Sequence, residues 1–444
     1  MNRLHLRLLA VIALVAVPTS VLGGPVAPVS AAPVSAVPVS GAPVSAANSL
    51  TCQGLAATIV GTAGDDVLAG TPGPDVIVAL KGDDTVNAGA GDDIVCGGRG
   101  TDKLDGQDGN DRLYGERNGL RPREDQPATN VGDVLAGGPG DDVIDPGWDK
   151  HTDVGGGFLP DTISYRDSLV GVIIDLERGI GYGEGTDTIL LEGRVEVHGS
   201  DFDDVIIGTN RIDSIVAFSG DDFVDGRGGR DNLVDQQDIG SPSATRDDDY
   251  FSGGAGNDNI EPGRGTDTSR GGPGDDRIED LFGPSIVGGG TGDDELSVAV
   301  VVDQDLETRV QGNSGQDELN ISVSKGGTLA RSTTGTVNLR RARIVASTAG
   351  NERASGSVSG VEIVGVPEGT WQVRGTSRDE TVYGPFLDES RVVARMGGGD
   401  DRVFGGPGDD VIDGGAGLDS ARPGGGRDTC RSVEWSPAQD PCES

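Results

Sequence analysis

The chain has 444 residues, 73 acidic against 35 basic, and a formal net charge of −38. That sign excludes nucleic acid as a natural partner, because phosphates would be repelled. With 76 glycines and only 4% aromatic residues, the composition also argues against one large conventional core. Residues 1–17 set Arg3 and Arg7 ahead of the apolar run LLAVIALVAV (8–17). This is the layout of a secretory signal peptide, assigned to residues 1–24, with cleavage between Ser20 and Ala32. The run is about half the roughly 20 residues a membrane span needs, so the mature form is read without one. Residues 25–51 form a spacer: 27–46 read APVSA, APVSA, VPVSG, APVSA. Proline every fifth residue keeps such a segment extended. It would cross a cell wall or carry sugars on serine, and the sequence leaves both open.

A second periodicity begins after Cys52. Cut into nines, residues 61–114 read GTAGDDVLA, GTPGPDVIV, ALKGDDTVN, AGAGDDIVC, GGRGTDKLD and GQDGNDRLY. Glycine holds the fourth position, aspartate the sixth and an aliphatic the eighth. Six residues of turn chemistry alternate with a three-residue strand. The strand's middle residue points one way and its flanks the other. Leu68 and its equivalents should therefore face inward, and Val67, Lys103 and Arg112 outward. A fixed short period of this kind predicts a solenoid of stacked coils. Carboxylates would then stack about 4.8 Å apart and repel one another strongly. A hard divalent cation taking carboxylate and carbonyl oxygens answers that repulsion, and flexible oxygen cages favour calcium over magnesium.

The position-six acids of this first roll (52–114) are Asp66, Asp75, Asp84, Asp93, Asp102 and Asp111. Residues 115–131 break the phase and read as a surface loop, within a worn segment 115–198. There GGPGDDVID supplies Asp142 as an isolated unit, and GGFLPDTIS holds Asp161 with Ile163. Residues 165–198 lack the turns and read as strands. The phase restarts in a second set, 199–297, with Asp204, Asp213, Asp222 and Asp231, a polar loop at 235–247, then Asp258, Asp267, Asp276 and Asp294. Ser269 stands where an inward aliphatic is due. From 298 to 395 alternating sequence (VAVVVD, LNISVSK, TWQVRG) predicts strands. It reads as a degenerate continuation of the solenoid, or as a separate β domain. WQVRGTSRDETVYG (371–384) parallels VEVHGSDFDDVIIG (195–208) position for position, with Glu380 in place of Asp204. The pattern returns at 396–444 with Asp401, Asp410, Asp419 and Asp428, followed by an end segment containing Trp435.

The motif GGxGxDxUx, with U an aliphatic, resembles the RTX or haemolysin-type calcium-binding repeat. That resemblance implies an all-β fold, a right-handed parallel β-roll in which two nonapeptides make one coil. It also implies Ca2+ ions between turns n and n+2, held by turn carbonyls and by the position-six carboxylates named above. Folding would then depend on calcium outside the cell.

Four cysteines in an exported chain favour disulfides over metal binding. Three pairings are possible; spacing favours Cys52–Cys96 and Cys430–Cys442, one at each end. Cys52 opens an apparent N-terminal cap. No catalytic constellation is found. Only three histidines exist, of which His151 and His198 stand alone, and no Gly-x-Ser-x-Gly elbow is present. The chain therefore reads as a secreted, non-enzymatic calcium-binding protein with a surface, adhesion or matrix role and a carbohydrate or protein partner at the cell surface or matrix. The alternative is an extracellular polysaccharide-active enzyme or carbohydrate-binding module built on the solenoid.

Overall fold

The structure is a computed structural model that describes residues 50–117, 132–147, 160–191, 193–236, 247–302, 307–325, 328–330, 333–348, 353–385, 390–434 and 442. The signal segment, almost all of the spacer, most of the loops 115–131 and 235–247, His151 and Trp435 lie outside these residues. Among the described residues no helix is long and apolar enough to cross a membrane.

Each nine-residue unit folds as a six-residue turn followed by a short strand, and successive strands alternate between two long sheets. The first sheet begins Val67–Ala69, Thr85–Asn87, Lys103–Asp105 and ends at Ser420–Arg422. The second begins Ile59–Val60, Val76–Lys81, Ile94–Arg99 and ends at Thr429–Arg431. Pairing is parallel and joins like positions of the repeat: Leu68 lies beside Val86 and Val86 beside Leu104. This register is the reason a thin repeat has a core. Every eighth-position side chain lands on the one below, and the two sheets share one continuous apolar column from Ile59 and Leu68 to Ala421 and Cys430. The flanking positions face solvent, so Val67 is 87% exposed. Leu68 itself is only half-buried, because its coil is the first of its sheet. Ser269 sits fully inside the column, and its hydroxyl has no hydrogen-bond partner among the described residues.

Two antiparallel excursions interrupt the second sheet. Ile173–Asp175, Ile180–Tyr182 and Thr186–Ile189 pair antiparallel with one another, while the outer two pair in parallel with the repeat strands Val205–Ile207 and Val143–Asp145. Thr333–Asn338, Arg343–Ser347 and Arg353–Ser359 repeat that arrangement between Thr308–Ser314 and Gly369–Arg374. In 298–395 the remaining strands extend both sheets: Glu318–Lys325 pairs with Ile363–Gly365, which pairs with Thr381–Tyr383. Gly335 makes room there for a large core residue, since a Cβ on it would lie 2.2 Å from the ring of its strand partner Trp371. Trp371 is fully buried and donates its indole N–H to Thr333 Oγ1 at 3.2 Å.

The two parallel sequences 195–208 and 371–384 share a local conformation but not a place. Val195–His198 lies in the first sheet and leads to Val205–Ile207 in the second. Gly369–Arg374 lies in the second and leads to Thr381–Tyr383 in the first. One unit is half a coil, so an odd number of intervening half-coils moves the copy to the opposite edge. Disulfides join Cys52 to Cys96 and Cys430 to Cys442.

Candidate metal centres

The position-six aspartates occupy both edges of the roll, where the backbone fixes them in both directions. Asp84 O accepts the Lys103 N–H at 2.8 Å, and the Asp84 N–H donates to Asp102 Oδ1 at 2.9 Å, one coil on. The same bond joins Asp66 to Asp84, Asp75 to Asp93 and Asp93 to Asp111. It recurs from Asp213 to Asp231, Asp258 to Asp276, Asp401 to Asp419 and Asp410 to Asp428. Of the predicted acids, all but the half-buried Asp66 are buried.

That ladder uses one carboxylate oxygen. The other, Oδ2, is buried with no hydrogen-bond partner among the described residues in Asp84, Asp93, Asp102, Asp111, Asp142, Asp222, Asp231, Asp258, Asp267, Asp276, Asp294, Asp401 and Asp419. Burial and neighbouring carboxylates outweigh the ladder bond. Asp102, Asp111, Asp142, Asp231, Asp276 and Asp401 are each pushed up to about 7, with burial the largest cause. Asp222 is pushed up to about 10, by burial first and by the Asp204 carboxylate next. Two charges about 4.8 Å apart repel by about 3.5 kcal/mol at an effective dielectric of about 20. A hydrogen bond returns about 1 kcal/mol net. Ionised columns on this spacing therefore require cations.

The donor set fits a hard ion. It is all oxygen, and glycine keeps it open. A Cβ on Gly97 would lie 2.6 Å from Asp102 Oδ2, and one on Gly271 would lie 2.2 Å from Asp276 Oδ2 and 2.6 Å from Gly289 O. At position four, Gly100 (φ +146°) stacks so closely that a Cβ would lie 1.7 Å from Gly82 O. Carbonyls and carboxylate oxygens thus converge between successive turns of one edge, which is calcium chemistry.

A second class of turn satisfies its own acid. Thr71 donates its main-chain N–H to Asp75 Oδ2 at 2.7 Å. Corresponding bonds run from Thr62 to Asp66, Ser200 to Asp204, Thr209 to Asp213, Thr376 to Glu380 and Gly406 to Asp410. The chemistry differs accordingly. Burial works against ionisation of Asp75, but the Thr71 N–H and the Thr71 and Thr58 hydroxyls outweigh it and hold its carboxyl below the usual value. The Thr62, Thr71, Ser200 and Thr209 turns open the acid columns of the two main repeat sets, one on each edge.

Asp142 is not isolated. It accepts the Asp111 N–H at 2.8 Å and donates its own to Asp187 Oδ1 at 3.0 Å. The extra residues inserted between these acids leave the stacking intact. For the same reason the strict nine-residue phase misses Asp133, Asp187 and Asp249, which continue the ladder at sequence separations of 31, 45 and 27 from the acids before them, while Asp317, the sixth residue of the isolated unit GNSGQDELN (312–320), continues it at a separation of 23. Their signal is an aspartate two residues before an inward apolar side chain: Leu135, Ile189, Phe251 and Leu319. His198 is held by Glu196 at 2.7 Å and lies edge-on to Phe218.

A family profile described as the RTX calcium-binding nonapeptide repeat (4 copies) matches residues 60–95, 97–118, 129–149, 198–233, 243–269, 270–298 and 397–430. The search of curated proteins found no match. Most of the ladder's aspartates lie in the matched segments: the chain carries RTX calcium-binding nonapeptide repeats across much of its length, stacked as a parallel β-roll.

Proposed function

We propose that this protein is an extracellular, non-enzymatic scaffold that folds on calcium and serves at a surface, in adhesion or in a matrix. The observation that carries the reading is the column of buried Oδ2 atoms without hydrogen-bond partners among the described residues. Ions between successive turns of each edge would be held by the aspartates that continue the ladder, with turn carbonyls completing the oxygen shell. Because both halves of each site meet only in the folded roll, binding free energy becomes folding free energy. Calcium outside the cell would then act as the folding signal. Two disulfides and the signal-like leader support an oxidising, exported setting. The acids recur with the coil instead of converging on one cleft, which supports a structural role over a catalytic one.

The test is circular dichroism and hydrodynamic radius of the full chain in chelator and in millimolar calcium. Compaction and β signal on adding calcium are expected. An identical spectrum and radius in both would refute the reading.

A further inference from the structure

One turn departs from the repeat in a way that adds charge. The unit at 235–252 carries an insertion, and its strand Tyr250–Ser252 pairs with Phe223–Asp225 on one side and Thr268–Pro273 on the other. In that register Asp249 is the position-six acid, Asp247 falls at position four and Asp235 at position one. The preceding unit has Gly229 and Gly226 at those two places, with Asp231 at position six. Asp235, Asp247 and Asp249 are all buried, and each brings a carboxylate oxygen within 4.8 Å of the other two. Among the described residues this is the one such convergence of three acidic, histidine or cysteine side chains.

The neighbouring turns close around it. Asp247 Oδ1 accepts the Gly220 N–H at 2.7 Å from the turn before. Asp249 Oδ1 accepts the Asp222 N–H at 2.8 Å, and the Asp249 N–H donates to Asp267 Oδ1 at 3.0 Å in the turn after. Asp235 leans toward that later turn, since a Cβ on Gly263 would lie 2.0 Å from Asp235 Oδ2. An independent observation points to a ligand. Asp249 Oδ2 and Asp267 Oδ2 are buried with no hydrogen-bond partner among the described residues, in side chains of residues 1% and 0% exposed.

We infer that Asp235, Asp247 and Asp249, with Asp267 above them, form a calcium site of higher charge than the ordinary turns, and that this site loads first. An ordinary turn contributes one carboxylate and backbone carbonyls; this one contributes three. Affinity in oxygen cages rises with the number of charged ligands. A site that fills before the rest would seed the second repeat set, because coils then add by nearest-neighbour contact. The inference rests on the reading that the roll binds calcium.

Terbium(III), a calcium-like ion that prefers charged oxygen ligands, provides the probe. Tyr250 follows Asp249 directly and is half-buried, so it can sensitise terbium held there. The calcium-loaded full chain is titrated with terbium chloride under tyrosine excitation. Wild type should show an early emission phase that Tyr250→Phe removes. Asp235→Asn/Asp247→Asn should shift that phase to about tenfold higher terbium or more, whereas Asp84→Asn should leave it in place. Asp235→Gly/Asp247→Gly restores the glycines of the repeat; it should keep the β spectrum and lose the early phase, and it serves if the asparagine pair does not fold. A glycine variant whose titration overlays wild type would overturn the inference, as would an early phase that survives Tyr250→Phe. Either result leaves calcium-driven folding standing; an absence of any calcium effect on the spectrum would instead remove the reading beneath it.

Discussion

Asp84 donates its main-chain N–H to Asp102 Oδ1 at 2.9 Å, while Asp102 Oδ2 faces no donor among the described residues. One oxygen of the carboxylate builds the coil and the other is left for an ion. The bond alone aligns adjacent turns but cannot neutralise them. Alignment and charge compensation are thus separate tasks carried by one side chain, and conditions that change the second should unfold the first.

Protons should replace calcium in part. Burial raises Asp102, Asp111, Asp231 and Asp276 to about 7 in the ion-free roll, against roughly 3.9 in an unfolded chain. The folded form then binds more protons than the unfolded one, so stability falls as pH rises between those values. In chelator, β structure should be fullest below about pH 4 and be lost as pH rises through about 7. Circular dichroism against pH in chelator checks this. A calcium-free roll that gains structure with rising pH would contradict it.

Turns that satisfy their own acid should depend less on calcium. Asp84→Asn and Asp142→Asn each remove a mid-column carboxylate whose Oδ2 has no hydrogen-bond partner among the described residues. Asp75→Asn alters a carboxylate already bonded to Thr71. Equilibrium dialysis with metal analysis should show more bound calcium lost from the first two than from the third. Equal losses from all three would mean that the Thr71 type of turn does not substitute for an ion.

The glycine at position one should be as necessary as the acid it faces. Gly271→Ala would put a Cβ 2.2 Å from Asp276 Oδ2 and 2.6 Å from Gly289 O. Neither atom can retreat without breaking the ladder, so Gly271→Ala should lose at least as much calcium as Asp276→Asn. Gly288→Ala serves as control, because the nearest atom to its Cβ would be Gln311 O at 4.0 Å. If Gly271→Ala binds as wild type does, the cradle is not where the ion sits.

The disulfides should matter most when calcium is scarce. Cys52–Cys96 ties the first residues of the roll across 44 positions of chain. Such a closure contributes about 2–4 kcal/mol, mainly by restricting the unfolded state. Calcium adds a stabilisation that grows with its concentration. Reduction should lower the melting temperature in both conditions and abolish residual structure only in the calcium-poor sample. Melting curves with and without reductant, at high and low calcium, separate the two contributions.

The sequence by itself determined the repeat unit, the inward column and most of the acid ladder, because in a parallel solenoid like positions stack on like positions. Leu104 is buried and Lys103 exposed for the reason their place in the nonapeptide gives. Local period is enough where each coil touches only its neighbours. It fails where insertions interrupt the count. Asp133, Asp187, Asp249 and Asp317 keep their rung because the backbone is back in register beyond the inserted residues, which no fixed spacing reports. The meeting of Asp235 with Asp247 and Asp249 is likewise a product of that return, because eleven residues separate Asp235 from Asp247 and the three meet only in the folded edge. Only the tertiary structure decided which turns satisfy their own acid, because Gly406 does so without the threonine or serine that marks the others. The direction of one N–H, set by the path of the chain through the turn, separates a finished hydrogen bond from an oxygen that awaits an ion.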